Sequence, residues 1–239
     1  MQTCPSTPFR RAVALASAAA AASLTLGDPA LAGSYKQTNL VTDDQAALKS
    51  LGFAPAKAQD RNLKNPWGLA ASATGPWWSA NQGSGTATIY GGDGSKKPLV
   101  VSVPQAPGAK VGPSGVTGEV AGAGGGFVFS NLDGSISAWN GGPTATVVVP
   151  SRSGGHLALY TGLAEGVAGG QAQYYAPNEI TGKVDVFSST FAAVQTAGGF
   201  VDSNLPGGFV PFGAQNIDGQ IWVTYAVPGQ AADDQPLGS

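Results

Sequence analysis

A unit of just under fifty residues recurs along this chain, and that recurrence restricts the fold more than any other feature. It is clearest from Asn65-Pro-Trp-Gly-Leu-Ala70 through Trp77-Trp-Ser-Ala-Asn81 to Thr86-Ala-Thr-Ile-Tyr90: a tight turn, short strands and a Gly-rich turn. A small-residue turn containing glycine returns as Pro66-Trp-Gly68, Pro113-Ser-Gly115, Thr161-Gly162 and Pro211-Phe-Gly213, with glycine spacings of 47, 47 and 51 residues. After each comes an expected strand: Trp77–Ala80, Gly126–Ser130, Gln173–Ala176 and Gln220–Ala226. In the first three units a second strand follows (Ala87–Tyr90, Ser135–Trp139, Lys183–Phe187) and then a third (Leu99–Val103, Ala145–Val149, Ala192–Thr196). The links Gln82-Gly-Ser-Gly85, Asp133-Gly134 and Thr181-Gly182 carry hairpin-turn chemistry.

Short strands repeating at this period describe blades of a β-propeller, because one four-stranded blade cannot cover both of its faces and neighbouring blades must. Charged residues are 11% of the chain while Gly (36) and Pro (17) are abundant, a balance that favours short strands and turns over a helical bundle. Tyr90, Trp139 and Phe187 fall at equivalent places, as do Trp78, Phe129 and Tyr175, and all are expected in the core between blades. Three units are full. The fourth lacks its outer hairpin, since the residues after Tyr225 read as loop.

The first 32 residues read as an export signal: Arg10-Arg11, an apolar run Ala12–Leu26, and Ala30-Leu-Ala32 before Gly33. The run is shorter than the roughly 20 residues a membrane span needs, and Gly27-Asp-Pro29 breaks it. Cleavage removes Cys4, the only cysteine, and shifts the formal net charge from −2 to −3. The expected location is therefore periplasmic or extracellular, with no membrane span after cleavage. Residues 33–61 form a lead-in, with a strand expected within Tyr35–Thr42 and one or two helical turns after an Asp43 or Asp44 N-cap. Residues 62–228 are the partial propeller and 229–239 a loop-like tail.

With the repeats laid out, Tyr35–Asp43, Asn62–Ala70, Pro98–Pro104, Asp133–Asn140 and Phe200–Phe212 resemble a family of uncharacterised exported bacterial proteins. The resemblance spans 34–228 and implies a six-bladed propeller related to NHL-repeat proteins. Members of that family continue for further blades, so the expected fold class is all-β, an incomplete β-propeller of about three full blades plus part of a fourth. The family brings no established activity or catalytic residues to carry over.

The residues themselves offer little chemistry. His156 is the only histidine, which leaves no two-histidine acid/base or metal site within one chain. Asp133, Glu165, Glu179, Asp185, Asp202 and Asp218 lie in separate units without the spacing of a carboxylate dyad, although a propeller axis can gather distant loops. Asp93-Gly94 and Asp133-Gly134 read as turn formers. Gly122–Gly126 lacks the Lys-Ser/Thr and the helix of a phosphate loop. No cofactor is expected, with a structural calcium the one metal left open by ligand type; Asp233-Asp234 reads as solvated. No basic patch suggests nucleic acid.

The expectation is an exported scaffold that binds a protein, glycan or small molecule without catalysis. No catalytic or metal residue is assigned, and the binding residues are left open. Two alternatives remain: a metal-dependent lyase- or lactonase-like propeller enzyme, and a non-functional truncated fragment. Open blade edges further suggest self-association.

Overall fold

A computed structural model describes residues 36–104, 116–121, 126–151, 158–196, 200 and 202–228, with the backbone alone described for 116–121. Two compact units divide at Gln37/Thr38. Of the first, only 36–37 are described; the expected export signal, with Arg10, Arg11 and Cys4, lies outside the described residues. So do the Pro113-Ser-Gly115 turn, Gly122–Gly125, His156 and the tail with Asp233-Asp234.

The second unit begins with the lead-in. Strand β1 (Val41–Thr42) pairs in parallel with β2 (Ala58–Gln59), and helix α1 (Gln45–Ser50) lies between them. The expected strand within Tyr35–Thr42 shrinks to two residues, because its partner β2 is only two residues long. Asp44 caps α1 as expected, its carboxylate accepting from the amides of Ala46 and Ala47.

Three four-stranded antiparallel blades follow in chain order. Blade 1 is β3 (Pro66–Ala71), β4 (Trp77–Asn81), β5 (Thr86–Tyr90) and β6 (Lys96–Ser102). Blade 2 is β7 (Val116–Ala121), β8 (Phe127–Asn131), β9 (Ile136–Trp139) and β10 (Thr146–Val149). Blade 3 is β11 (Ala164–Ala168), β12 (Gln171–Asn178), β13 (Lys183–Ser188) and β14 (Ala193–Val194). The fourth sheet is a hairpin, β15 (Val210–Ile217) with β16 (Gln220–Ala226), turned by Asp218-Gly219 with φ of 52° and 81°. Two positive φ values are the signature of the tight turn that matches strand twist. The fold is an all-β, propeller-type array of three full blades and half of a fourth.

The expected middle and outer strands are present to within a few residues. The first strand of each blade is where the sequence reading fell short. Pro66-Trp-Gly68 and Pro211-Phe-Gly213 are not turns but the starts of β3 and β15, with register shifts between Pro66 and Gly68 and between Pro211 and Gly213. A bulge of this kind lets proline and glycine sit in a strand that local propensity would deny.

Alternation along each strand sends neighbours to opposite faces, and three hydrophobic clusters fill the spaces between successive blades. Trp78, Ala80, Ile89 and Val101 of blade 1 meet Phe127 and Phe129 of blade 2. The Trp78 and Phe127 rings stack with centroids 4.1 Å apart. Val128 and Ile136 of blade 2 meet Tyr174, Ala176 and Phe187 of blade 3. Tyr175 and Val186 of blade 3 meet Ala214 and Ile221 of the hairpin. Five of the six rings expected in this core thus line it, Trp139 from its margin. Tyr90 does not, since its odd register in β5 turns it to the other face of blade 1.

A polar element repeats with the blades. Asn81, Asn131 and Asn178 close the second strands and are fully buried. Each amide donates across the hairpin: Asn81 to Thr88 Oγ1 at 2.8 Å, Asn131 to Ser137 Oγ at 3.1 Å, Asn178 to Asp185 Oδ2 at 2.8 Å. A buried amide with partners fixes the hairpin register where apolar packing alone would allow slippage.

Candidate functional site

Blade 1 has one face packed on blade 2 and the other turned toward the lead-in. Trp67, Leu69, Trp77, Ser79 and Tyr90 lie on this second face, and with residues 38–42, Leu48 and Leu63 they enclose an open cleft of about 650 Å³. That is ample for a drug-sized ligand or a short oligomer. Leu69 is 66% and Trp77 46% exposed, an uncommon amount of apolar surface for strand residues at the mouth of a cavity.

The lead-in is held together internally by side chain to backbone bonds. Gln45 makes a reciprocal pair with Ala56, its Nε2 donating to the carbonyl at 2.8 Å and its Oε1 accepting from the amide at 3.0 Å. Asn39 Nδ2 donates to Ala54 O at 2.7 Å, and Gln59 Nε2 to Asp43 O at 2.8 Å. At the far wall Gly94 (φ 88°) passes so close to Leu40 that a Cβ there would sit 2.9 Å from the Leu40 Cβ. Glycine is required at that approach.

Asp60 locks the lead-in to blade 1. It is 4% exposed and accepts from Tyr90 Oη at 2.7 Å, Lys96 Nζ at 2.8 Å and the Asn62 amide at 3.0 Å. Burial alone would raise its carboxyl, but the bonds from Lys96, Tyr90 and Asn62 and the Lys96 charge outweigh it and hold the group below the ordinary Asp value. Burial above all pushes the Tyr90 hydroxyl up, the Asp60 carboxylate adds to that, and a bond with Thr88 opposes it. Tyr90 therefore stays a neutral donor. The ion pair is spent on docking and leaves the cleft wall uncharged.

None of the residues lining the cleft is Asp, Glu, Lys, Arg or His. Its chemistry is indole, phenol and aliphatic surface with scattered hydroxyl, amide and backbone groups.

The carboxylates considered from the sequence are not gathered into a site. Asp93 and Asp133 serve their turns, accepting from the amides of Ser95 and Ser135 at 2.9 Å each. Asp185 accepts from Tyr160 Oη at 2.9 Å as well as from Asn178, inside blade 3. Asp202 caps a local turn at Asn204, and Asp218 sits in the β15–β16 turn. Glu165 lies on β11, its carboxyl raised by burial, and Glu179 follows β12. Among the described residues no three His, Cys, Asp or Glu side chains come together as metal ligands. Nor is any helix among them long and apolar enough to cross a membrane.

The cleft residues were missed because Trp67 reads as part of a turn and Tyr90 as inter-blade core. One signal was available: in Trp77-Trp78 strand alternation puts the two rings on opposite faces, so only one of them can serve the blade 1–blade 2 core.

No family model matches the chain, and no curated protein matches its sequence. Solved structures resemble its backbone. A catalytically inactive virginiamycin B lyase from Staphylococcus aureus, crystallised with quinupristin, aligns over 67% of this chain and 48% of its own, at 14% identity and a TM-score of 0.49. A streptogramin B lyase aligns over 66% and 47%, at 15% identity and a TM-score of 0.48. A protein of unknown function from Bacteroides caccae aligns over 66% and 52%, at 15% identity and a TM-score of 0.42. These are six-bladed propellers, and the chain spans about half the length of each. The likeness is one of strand arrangement.

Proposed function

We propose that this protein is an exported, non-catalytic binding scaffold of the NHL-related propeller type, and that the cleft on blade 1 receives an uncharged ligand, best suited to a neutral oligosaccharide. The observation that carries the reading is the lining: aromatic and amide-bearing, with no charged residue. Sugar rings present C–H faces that pack on exposed indoles and hydroxyls that bond to amides and hydroxyls. A charged ligand would find nothing to offset its desolvation. Export rests on the Arg10-Arg11, Ala12–Leu26 and Ala30-Leu-Ala32 pattern, and an exported scaffold would meet glycans outside the cell.

Titration with neutral and with anionic oligosaccharides, followed by tryptophan fluorescence and calorimetry, tests this. Neutral oligosaccharides should bind, and Trp77→Ala should weaken binding roughly tenfold with the fold unchanged, as expected of a ring anchor. Binding of anionic sugars only, or Trp77→Ala binding as tightly as the parent, would overturn it, as would turnover of a bound sugar.

A further inference from the structure

The wall that blade 1 gives to the cleft is uneven along the strands. At one level Trp77 of β4 pairs with Tyr90 of β5 on one side and with Ala71 of β3 on the other. Two residues further along, the same face carries only Leu69 and Ser79, which oppose each other in register. Beyond them comes a second indole on the cleft wall, Trp67. Trp67 is four positions from Ala71 in the chain, so the two indoles are rooted about 13 Å apart along β3. Rings at both ends with shorter side chains between them make two platforms rather than one apolar strip.

The platforms are supported differently. Trp77 is exposed, with Tyr90 as its cross-strand neighbour. Trp67 is half-buried, and its ring lies against Phe212 of β15, with centroids 6.0 Å apart and planes tilted by 44°. Each of these two rings stands where the first strand of its sheet breaks register, between Pro66 and Gly68 and between Pro211 and Gly213. A bulge at such a place re-aims a side chain. The Thr161 hydroxyl donates to the Phe212 carbonyl and fixes the backbone there. Phe212 does not itself line the cleft, so it supports the ring that does.

We propose that the cleft selects its ligand by length, with Trp77 and Trp67 as two separate sugar-ring subsites and Phe212 as a positioning residue for the second. This rests on the neutral-oligosaccharide reading of the cleft. One sugar ring stacks on Trp77 and a later ring of the same chain stacks on Trp67, while what lies between passes over Leu69 and the Ser79 hydroxyl. A disaccharide is too short to reach both indoles; a chain of three to four units reaches them. The second subsite depends on the half-blade as well as on blade 1, because without Phe212 nothing in the fourth sheet holds the Trp67 ring toward the cleft.

Calorimetric titration of the full chain with cello- and malto-oligosaccharides of one to six units tests the assignment. Affinity should rise at least about tenfold between the disaccharide and the tetrasaccharide, the gain of a second ring anchor, and then level off. Trp67→Ala should abolish that rise and bind the disaccharide as the parent does. Phe212→Ala should lose most of the rise with disaccharide binding unchanged, and Phe212→Leu, which keeps an apolar support, should recover most of it. Disaccharide binding thus reports that the cleft is folded in each variant. A parent that binds the disaccharide as tightly as the hexasaccharide would overturn the two-subsite proposal and leave the neutral-sugar reading standing, as would a Trp67→Ala chain that keeps the rise. A Phe212→Ala chain that keeps the full rise would overturn the positioning role. Absence of binding at every length would overturn the neutral-sugar reading and this proposal with it.

Discussion

Removing the Asp60 carboxylate tests how the lead-in is fastened to blade 1. In Asp60→Ala, Tyr90 loses the acceptor of its hydroxyl while remaining buried, which costs about 1–3 kcal/mol. Lys96 loses a charge-assisted bond, but its side chain is 35% exposed and finds water, so little is added there. The Asn62 amide loses a third bond at a half-buried position. The expected total is about 3 kcal/mol, a fall in Tm of roughly 6–12 °C for a domain of this size. Asp60→Asn, which keeps the shape and an acceptor, should cost about half as much. Asp43→Ala is the internal control: its partner Lys64 is 3.8 Å away and both side chains are well exposed, so less than about 0.5 kcal/mol is at stake. Thermal unfolding at neutral pH reads all three. Asp60 is held below its ordinary value, so its stabilisation is fully present above the unfolded pKa of about 3.9 and fades as pH falls through the lower folded value. The gap between parent and Asp60→Asn should therefore be constant near neutrality and close in acid. An Asp60→Ala chain melting within about 2 °C of the parent, or an Asp43→Ala chain falling as far, would refute the reasoning.

Two further substitutions probe the blades. Gly134→Ala should destabilise by at least about 2 kcal/mol in chemical denaturation, because φ is 77° and the new Cβ would lie 2.3 Å from the Ala158 carbonyl oxygen. Asn178→Ala should cost about 3 kcal/mol, since its Oδ1 accepts from the amides of Leu159, Ile180 and Thr181 and its amide holds Asp185. Asn131→Ala should cost less, about 2 kcal/mol, because it loses the amide bonds to Ser135 Oγ and Ser137 Oγ while its buried Oδ1 has no partner among the described residues. Equal losses at the two asparagines, measured by denaturant midpoint, would contradict that ranking.

Much of the architecture follows from local chemistry, and therefore from the sequence. Asp133-Gly134 and Thr181-Gly182 turn the chain wherever they stand, with positive φ at both glycines. Asp44 caps the helix it precedes. Alternating apolar residues between such turns make strands, and a strand-rich unit that recurs must bury its faces on its neighbours. Those statements involve groups a few residues apart, so the sequence carries them, including the Gln220–Ala226 strand of the half-blade, though not the strand β15 that pairs with it.

Tertiary structure decided everything that depends on which face meets what. Pro66 and Pro211 begin strands because bulges against β4 and β16 absorb the irregularity, and those partners lie well away in sequence. Tyr90 leaves the inter-blade core because Asp60, thirty residues earlier, supplies the acceptor its hydroxyl needs once buried. The uncharged cleft joins residues 38–42 to Trp67, Trp77 and Tyr90, groups that no spacing relates and only the docking of the lead-in brings together. Turns and strands are properties of neighbouring residues; a binding surface belongs to the packing, and sequence periodicity does not encode which surface packing leaves open.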